Sequence, residues 1–268
     1  MSLYLFTLFA ISMLLNSVVF SSMGLGGGVL YTPIQVLFGI DFHTAAATSL
    51  FLIVITSLSA TLVLRKSGLV DWPMSLVLES ATAAGAFCGG LFSGYFSGRS
   101  LTVLFAGVLV FAATFMVRNF TKESGSGPDE SSPLVWRRKL GPNRYSINLL
   151  LALPISFLSG ALSGMIGVAG GILKIPMMVL LFGVPMDIAV ASSSFMVGLT
   201  AAGGFLGHLS VGHWDWKTTG ILTVLVFAGG QVGARISLNV EKEKMKKGFG
   251  WFLYFIAVIL LARLWLKL

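Results

Sequence analysis

Two glycine-rich stretches, Gly24-Leu25-Gly26-Gly27-Gly28 and Gly167-Val168-Ala169-Gly170-Gly171, each lie five residues ahead of a proline, Pro33 and Pro176. Glycine and proline together interrupt helices, and an interrupted helix leaves backbone N–H and C=O groups without partners. Free N–H groups at a helix start carry partial positive charge and suit an anion. Gly27, Gly28, Gly170 and Gly171 are therefore candidate backbone donors. Polar side chains follow each stretch: Gln35, His43, Thr48 and Ser49 after the first, Lys174, Ser192 and Ser193 after the second. Amides and hydroxyls can donate to an oxyanion without the desolvation cost of a full charge, and Lys174 could neutralise one. Each type also has a plainer use. Glycine lets membrane helices pack closely, Ser and Thr bond their own backbone, and Lys can snorkel to an interface.

Other reactive constellations are missing. There is no Gly-x-Ser-x-Gly elbow, Walker loop, His-Glu-x-x-His or cysteine pair, so an ATP-driven pump is excluded for this chain alone and nothing calls for an enzyme or a cofactor. An intramembrane hydrolase would need Ser163 with His208 or His213, a pairing the spacing does not demand. Glu79 stands inside an apolar run, either as a proton-coupling carboxylate or as half of an ion pair. Cys88 alone can form no internal disulfide.

The elements that must position these residues are membrane helices. Hydrophobic residues make up 56% of the chain and charged ones 10%, against roughly 25% charged in soluble domains, so the main solvent is lipid. A net charge of +8 might suggest nucleic acid as partner, but the basic residues sit in short loops between apolar runs, where they report orientation. Eight runs reach spanning length, approximately residues 3–22, 42–64, 72–95, 101–117, 147–168, 185–211, 216–239 and 249–266. The first lacks a charged leader and reads as a retained helix.

The two broken segments repeat one another. Gly24, Gly27, Gly28, Leu30, Pro33 and Leu37 recur 143 residues later, and beyond a one-residue shift Ala45, Ala47, Ser49, Phe51, Gly68, Asp71, Trp72, Gly85 and Gly89 recur 144 later. That order identifies a tandem duplication. The expected fold is an all-α polytopic membrane protein of two tandem, inverted repeats, each with four full-length helices plus one short Gly/Pro-broken segment. Residues 1–118 and 147–268 form the repeats. Residues 119–146, polar and rich in Gly, Ser and Pro, form an exposed cytoplasmic linker. Counting Lys and Arg favours inversion: 13 of the 18 fall on the linker side if the short segments cross the bilayer, 11 if they dip in and return. The Gly-x-x-Asp-Trp turns at 68–72 and 212–216 read as structural, with Asp capping and Trp anchoring, and the Gly-x-x-x-Gly pairs at 85/89 and 229/233 as close helix contacts.

With these motifs the chain resembles the TauE/SafE family of sulfite and organosulfur-anion exporters. The resemblance rests on Gly24 through Gly28 with Pro33, on His43-Thr44-Ala45 through Thr48-Ser49, on Gly167 through Gly171 with Pro176, and on Ala189 through Ser193. It implies a secondary transporter in the cytoplasmic membrane of a prokaryote that exports sulfite, sulfoacetate or a related anion. Ala169 replaces Gly26 and Asp187 aligns with His43, so the halves cannot contribute identically. A single cysteine argues against relatives that handle thiosulfate through several. A passive anion channel and a non-transporting subunit or receptor are the alternatives. Gly-rich faces suit packing within one protomer or between two, which leaves a homodimer open.

Overall fold

The computed structural model describes residues 3–23, 28, 30–117, 134–168, 171–212, 214, 216–237 and 242–266. Its elements in chain order are α1 (Leu3–Ser22), α2 (Tyr31–Leu37), α3 (Phe42–Leu64), α4 (Trp72–Phe92), α5 (Gly98–Val117), β1 (Val135–Leu140), β2 (Asn143–Asn148), α6 (Leu149–Ile166), α7 (Gly171–Pro176), α8 (Met186–Ser210), α9 (Trp216–Ser237) and α10 (Lys242–Leu266). All eight expected long runs are helical. Among the described residues six helices are long and apolar enough to cross a bilayer, namely α1, α3, α4, α6, α8 and α9, while the apolar stretches of α5 and α10 are shorter, at 98–114 and 253–262.

Local signals set the boundaries. The Asp41 carboxylate accepts from the N–H groups of His43 and Thr44 and starts α3. Asp71 accepts from the Met74 N–H at 3.1 Å, with Pro73 in the first turn, and starts α4. Asn148 does the same for α6 through Leu150. Gly68 and Gly212 hold φ of 71° and 78°, so the expected glycine turns are present and admit no ordinary side chain without strain.

Contacts between helices fix their directions. On α4 and α6, a Cβ placed at Gly85 would collide with the backbone of Phe157, one at Gly89 with the carbonyl of Ala161, and ones at Gly160 and Gly164 with the carbonyls of Thr82 and Ala86. Residue numbers rise together, so α4 and α6 run parallel. Gly229 meets Ser17 and Gly233 meets Val18, which makes α1 and α9 parallel. Gly230 lies on the Thr56 carbonyl, Ser59 donates to Phe227 O at 2.7 Å and Ala234 packs with Ala60 and Leu64, so α3 runs with α9. On α4 and α8, Asp71 pairs with Ser192, Glu79 with Thr200 and Ala83 with Gly203, again in parallel. Along the contact of α3 with α8 the order reverses: Ser57 donates to Ser194 O at 2.5 Å, whereas Phe51 stacks on Phe205 with ring centroids 5.3 Å apart.

The end of the expected linker departs from expectation. Residues 135–148 form an antiparallel hairpin, Val135 opposite Asn148 and Leu140 opposite Asn143, turning at Gly141 with φ 58°. Tyr145 and Ile147 bury against Met74, Leu78, Met177, Met178, Phe182 and Ile188, so this stretch gains a core that its composition does not announce. The contact also brings the hairpin to the end of the bundle that carries the 65–71 turn.

Because backbone, not a mobile side chain, faces Gly89, Gly89→Ala should push α4 and α6 apart and cost about 1–3 kcal/mol or more. Gly107→Ala, with open space around it, should be neutral. Thermal unfolding of both variants in detergent checks the difference.

Candidate functional site

The two interrupted segments meet. Thr32, in the first turn of α2, donates from Oγ1 to the Gly167 carbonyl at 2.9 Å, where α6 ends in a left-handed glycine of φ 76°. A Cβ on Gly167 would lie 2.5 Å from Ala46 Cα, so α2, α3 and the end of α6 converge on one backbone contact. Beyond it the second segment runs as α7 and then a π-helical turn, Met177–Leu181, a form that often marks a functional site.

Gln35 and Ser49 come together here. Gln35 Nε2 donates to Ser49 Oγ at 2.8 Å and to the carbonyls of Tyr31 and Ala45 at 3.2 Å, and it ties α2 to α3. Its Oε1 is buried with no hydrogen-bond partner. Gly28 is buried, and a Cβ there would run into the Ile53 side chain, so its lack of a side chain serves close packing. Thr48 is buried beside Ser49, and His43 is half-buried in the first turn of α3. Gly171 is the first residue of α7, whereas Gly27 and Gly170 lie outside the described residues.

The hydroxyls of the two halves are not gathered around one point. Ser193 donates to Val190 O at 2.9 Å within its own helix, and Ser192 Oγ accepts from the Asp71 N–H at 3.0 Å under the hairpin. Since α3 and α8 are antiparallel and Ser57 faces Ser194, Ser49 lies nine residues, about 14 Å along the axis, from the level of Ser193. Gln35 and Ser49 stand beside the Thr32–Gly167 contact, whereas Ser192 and Ser193 stand toward the hairpin end.

Lys174 was expected either to snorkel or to face a bound anion. It does neither in this state: it is fully buried, and its Nζ donates to Glu79 Oε2 at 2.5 Å and to Thr200 Oγ1. Thr200 donates in turn to Glu79 Oε1, which closes a ring across α4, α7 and α8. The sequence reading passed over Thr200, yet the repeat points to it. Lys174 stands 143 residues after Tyr31 and Thr200 stands 144 after Thr56, the offsets that relate the two halves, and Tyr31 Oη bonds Thr56 Oγ1 at 3.0 Å. One half thus holds a neutral pair where the other holds an ionic ring.

A second ionic cluster closes the hairpin end. Arg138 donates to both oxygens of Asp71, from Nη2 to Oδ1 at 2.6 Å and from Nε to Oδ2 at 3.1 Å, and Tyr145 Oη donates to Oδ2. Burial works to raise the Asp71 carboxyl, but donation from Arg138, Tyr145 and Met74 outweighs it and holds the group below its ordinary range. The same contacts hold the Arg138 guanidinium charged further upward, and burial together with the carboxylate pushes the Tyr145 hydroxyl up. Arg138 also stacks over Trp136, 4.7 Å from the ring centroid.

Comparison with known proteins agrees with a membrane transporter. The profile of the family described as "Sulfite exporter TauE/SafE" matches residues 8–260. The probable membrane transporter protein YunE of Bacillus subtilis is 28% identical, over 89% of this chain and 90% of its own length. YdhB, a probable membrane transporter protein of the same organism, is 24% identical over 87% and 91%. MJ0441, a probable membrane transporter protein of Methanocaldococcus jannaschii, is 24% identical over 84% of each chain. No solved structure is significantly similar to this chain.

Lys174→Met strands a buried carboxylate and should cost about 3–5 kcal/mol, most of it recovered in Lys174→Met/Glu79→Leu; a double-mutant cycle on thermal unfolding reads the coupling. At the hairpin the sign follows from the depressed Asp71 carboxyl. The clasp contributes fully above the unfolded value near about pH 4 and is lost as pH falls through the lower folded value. Hydrogen exchange of residues 135–148 should therefore stay slow down to that range and quicken below it, and in Arg138→Ala should be fast at every pH.

Proposed function

The chain belongs to the sulfite exporter TauE/SafE family, and from that premise we propose that it is a secondary transporter exporting a small sulfur-containing anion, sulfite, sulfoacetate or a related organosulfonate, across the cytoplasmic membrane by alternating access. It is a multi-pass membrane protein, and its relatives carry transporter names. The observation that carries the finer reading is helix direction. Helices α1, α3 and α9 run one way along their shared contacts, and α4, α6 and α8 run together along theirs. If α1 and α3 point the same way, residues 23–41 must carry the chain back across between them. The same argument applied to α6 and α8 sends residues 167–185 across. Each half then has five crossings, and an odd number inverts the second half relative to the first. The antiparallel contact of α3 with α8, which occupy equivalent places in the two halves, is what a two-fold axis in the membrane plane requires.

Inverted repeats with broken helices facing each other are a recurring plan of secondary transporters, in which one half rocks against the other around a fixed central site. Here the anion would sit where Thr32 meets Gly167. Backbone N–H groups around Gly27, Gly28, Gly170 and Gly171 would be its donors, with Gln35, Thr48 and Ser49 on one approach and Ser192 and Ser193 on the other. Backbone donors suit tetrahedral or pyramidal oxyanions, whose oxygens accept and never donate when ionised.

Purified protein in liposomes should take up radiolabelled sulfite saturably down an inward sulfite gradient, in the presence of excess sulfate. Ser49→Ala/Ser193→Ala should lower uptake at limiting sulfite by about tenfold or more, the worth of a hydrogen bond to a charge, with folded yield intact. Uptake that never saturates would mean a channel, and uptake no greater than in empty liposomes would remove sulfite as substrate.

A further inference from the structure

The ionic ring of Glu79, Lys174 and Thr200 is not explained by stability. A buried ion pair is often no better than a well-packed apolar pair of the same volume. Tyr31 and Thr56 fill the equivalent place in the first half without any charge. The ring also sits at half depth. Thr200 is the fifteenth of the 25 residues of α8, and Lys174 stands three residues before the π-helical turn. Spare donors stand on the neighbouring helix α6. Ser156 lies one turn before Gly160, on the stripe that faces α4. Gly160 touches Thr82 and Phe157 touches Gly85 along a parallel pair, so Ser156 falls between the levels of Leu78 and Ala84, a span that takes in Glu79. The hydroxyls of Ser156 and Ser159 are buried with no hydrogen-bond partner.

We propose that Lys174, Thr200 and Ser156 form a second station on the anion's path, apart from the Thr32–Gly167 contact, that takes a singly charged oxyanion, and that Glu79 beside them is a proton site, so that anion and proton are carried together. The proposal rests on the transporter reading and supplies its coupling ion. Charge conservation drives it. Lys174 and Glu79 together carry no net charge, and in a low-dielectric interior an added anion leaves an uncompensated negative charge. If the anion replaces the Glu79 carboxylate on Lys174 while Glu79 takes one proton from the water that admits the anion, the net charge is again zero. Release to the other side returns both. Thr200 can turn its hydroxyl from the carboxylate to the incoming oxygen, and Ser156 can add a donor.

The groups around Glu79 leave few other candidates for that proton. Helix α6 carries no titratable side chain. On α8, Asp187 is exposed in the first turn and His208 lies eight residues beyond Thr200, at 2.9 Å from the Gly164 carbonyl. On α7 the titratable group is Lys174 itself. Asp71, Arg138 and Tyr145 are engaged with one another eight residues before Glu79.

The test is sulfite binding to the full chain in lipid nanodiscs at pH 6 to 9, wild type against Glu79→Gln. Gln mimics the protonated carboxyl, and sulfite's own titration is common to both proteins. Wild-type dissociation constants should rise with pH by about tenfold per unit more than those of Glu79→Gln, the slope of one linked proton. Equal slopes would overturn the proton site while leaving the carrier standing. Sulfite binding to neither protein would overturn both this proposal and the sulfite reading on which it rests. If Glu79→Gln does not fold, Thr200→Val carries the test. It removes one donor to the carboxylate, so the pH at which the profile of sulfite binding bends should move with the slope above it kept, whereas a merely structural threonine would leave the bend in place, change affinity equally at all pH values and sink the idea.

Discussion

Hydrocarbon offers no hydrogen-bond partner to a backbone amide, so a chain that interrupts its helices within a bilayer must pair what it frees inside the protein. This molecule does so at both breaks. Thr32 caps the Gly167 carbonyl, Gly167 and Val168 both donate to the Ser163 carbonyl, and Gln35 spends its amide on two carbonyls and a serine. At the far end of the second segment the Val184 N–H reaches back to Met178 O at 2.9 Å. Some of these repairs are local, whereas Gln35 reaches from α2 to α3 and Thr32 reaches from the first half to the second, so the breaks are held partly by contact between the halves. The glycines at 85, 89, 160 and 164 bring the backbones close enough for that, and their counterparts at 229 and 233 do the same for α1 and α9.

The same accounting governs charge. An unpaired ammonium at this depth would cost several kcal/mol, which Lys174 avoids by closing a ring with Glu79 and Thr200. Duplication built a matching place in each half and left one of them neutral, as Tyr31 with Thr56. The two places are alike in position along the sequence repeat and differ in charge. That asymmetry links the packing of the fold to what it could couple.

Much of this was legible in the sequence and some was not. The helical runs, the short segments at Pro33 and Pro176 and the capping of α4 by Asp71 follow from glycine, proline and apolar spacing, which act locally. The hairpin at 135–148 did not follow, because its strands Val-Trp-Arg-Arg-Lys-Leu and Asn-Arg-Tyr-Ser-Ile-Asn read as polar linker and are ordered by tertiary contact with Asp71 and the α7–α8 connection. Ser49 and Ser193 looked like partners because they are equivalent in sequence. Antiparallel packing of α3 and α8 separates them, since equivalent residues on two opposed helices move apart in opposite directions. Thr200 is one hydroxyl among many and becomes visible only when the repeat offset is applied to Lys174 as well as to the glycines.

Everything functional hangs on the halves being inverted, and sidedness tests that directly. In a Cys88→Ser background, Ser67→Cys and Ser210→Cys place one thiol each at the exposed ends of α3 and α8, Ser210 being the neighbour of Val211, the residue that stands 144 after Ser67. A membrane-impermeant maleimide added to intact cells should label Cys at 210 and spare Cys at 67 until the cells are opened. Labelling of both from the same side would mean parallel halves and re-entrant segments, and would contradict the account.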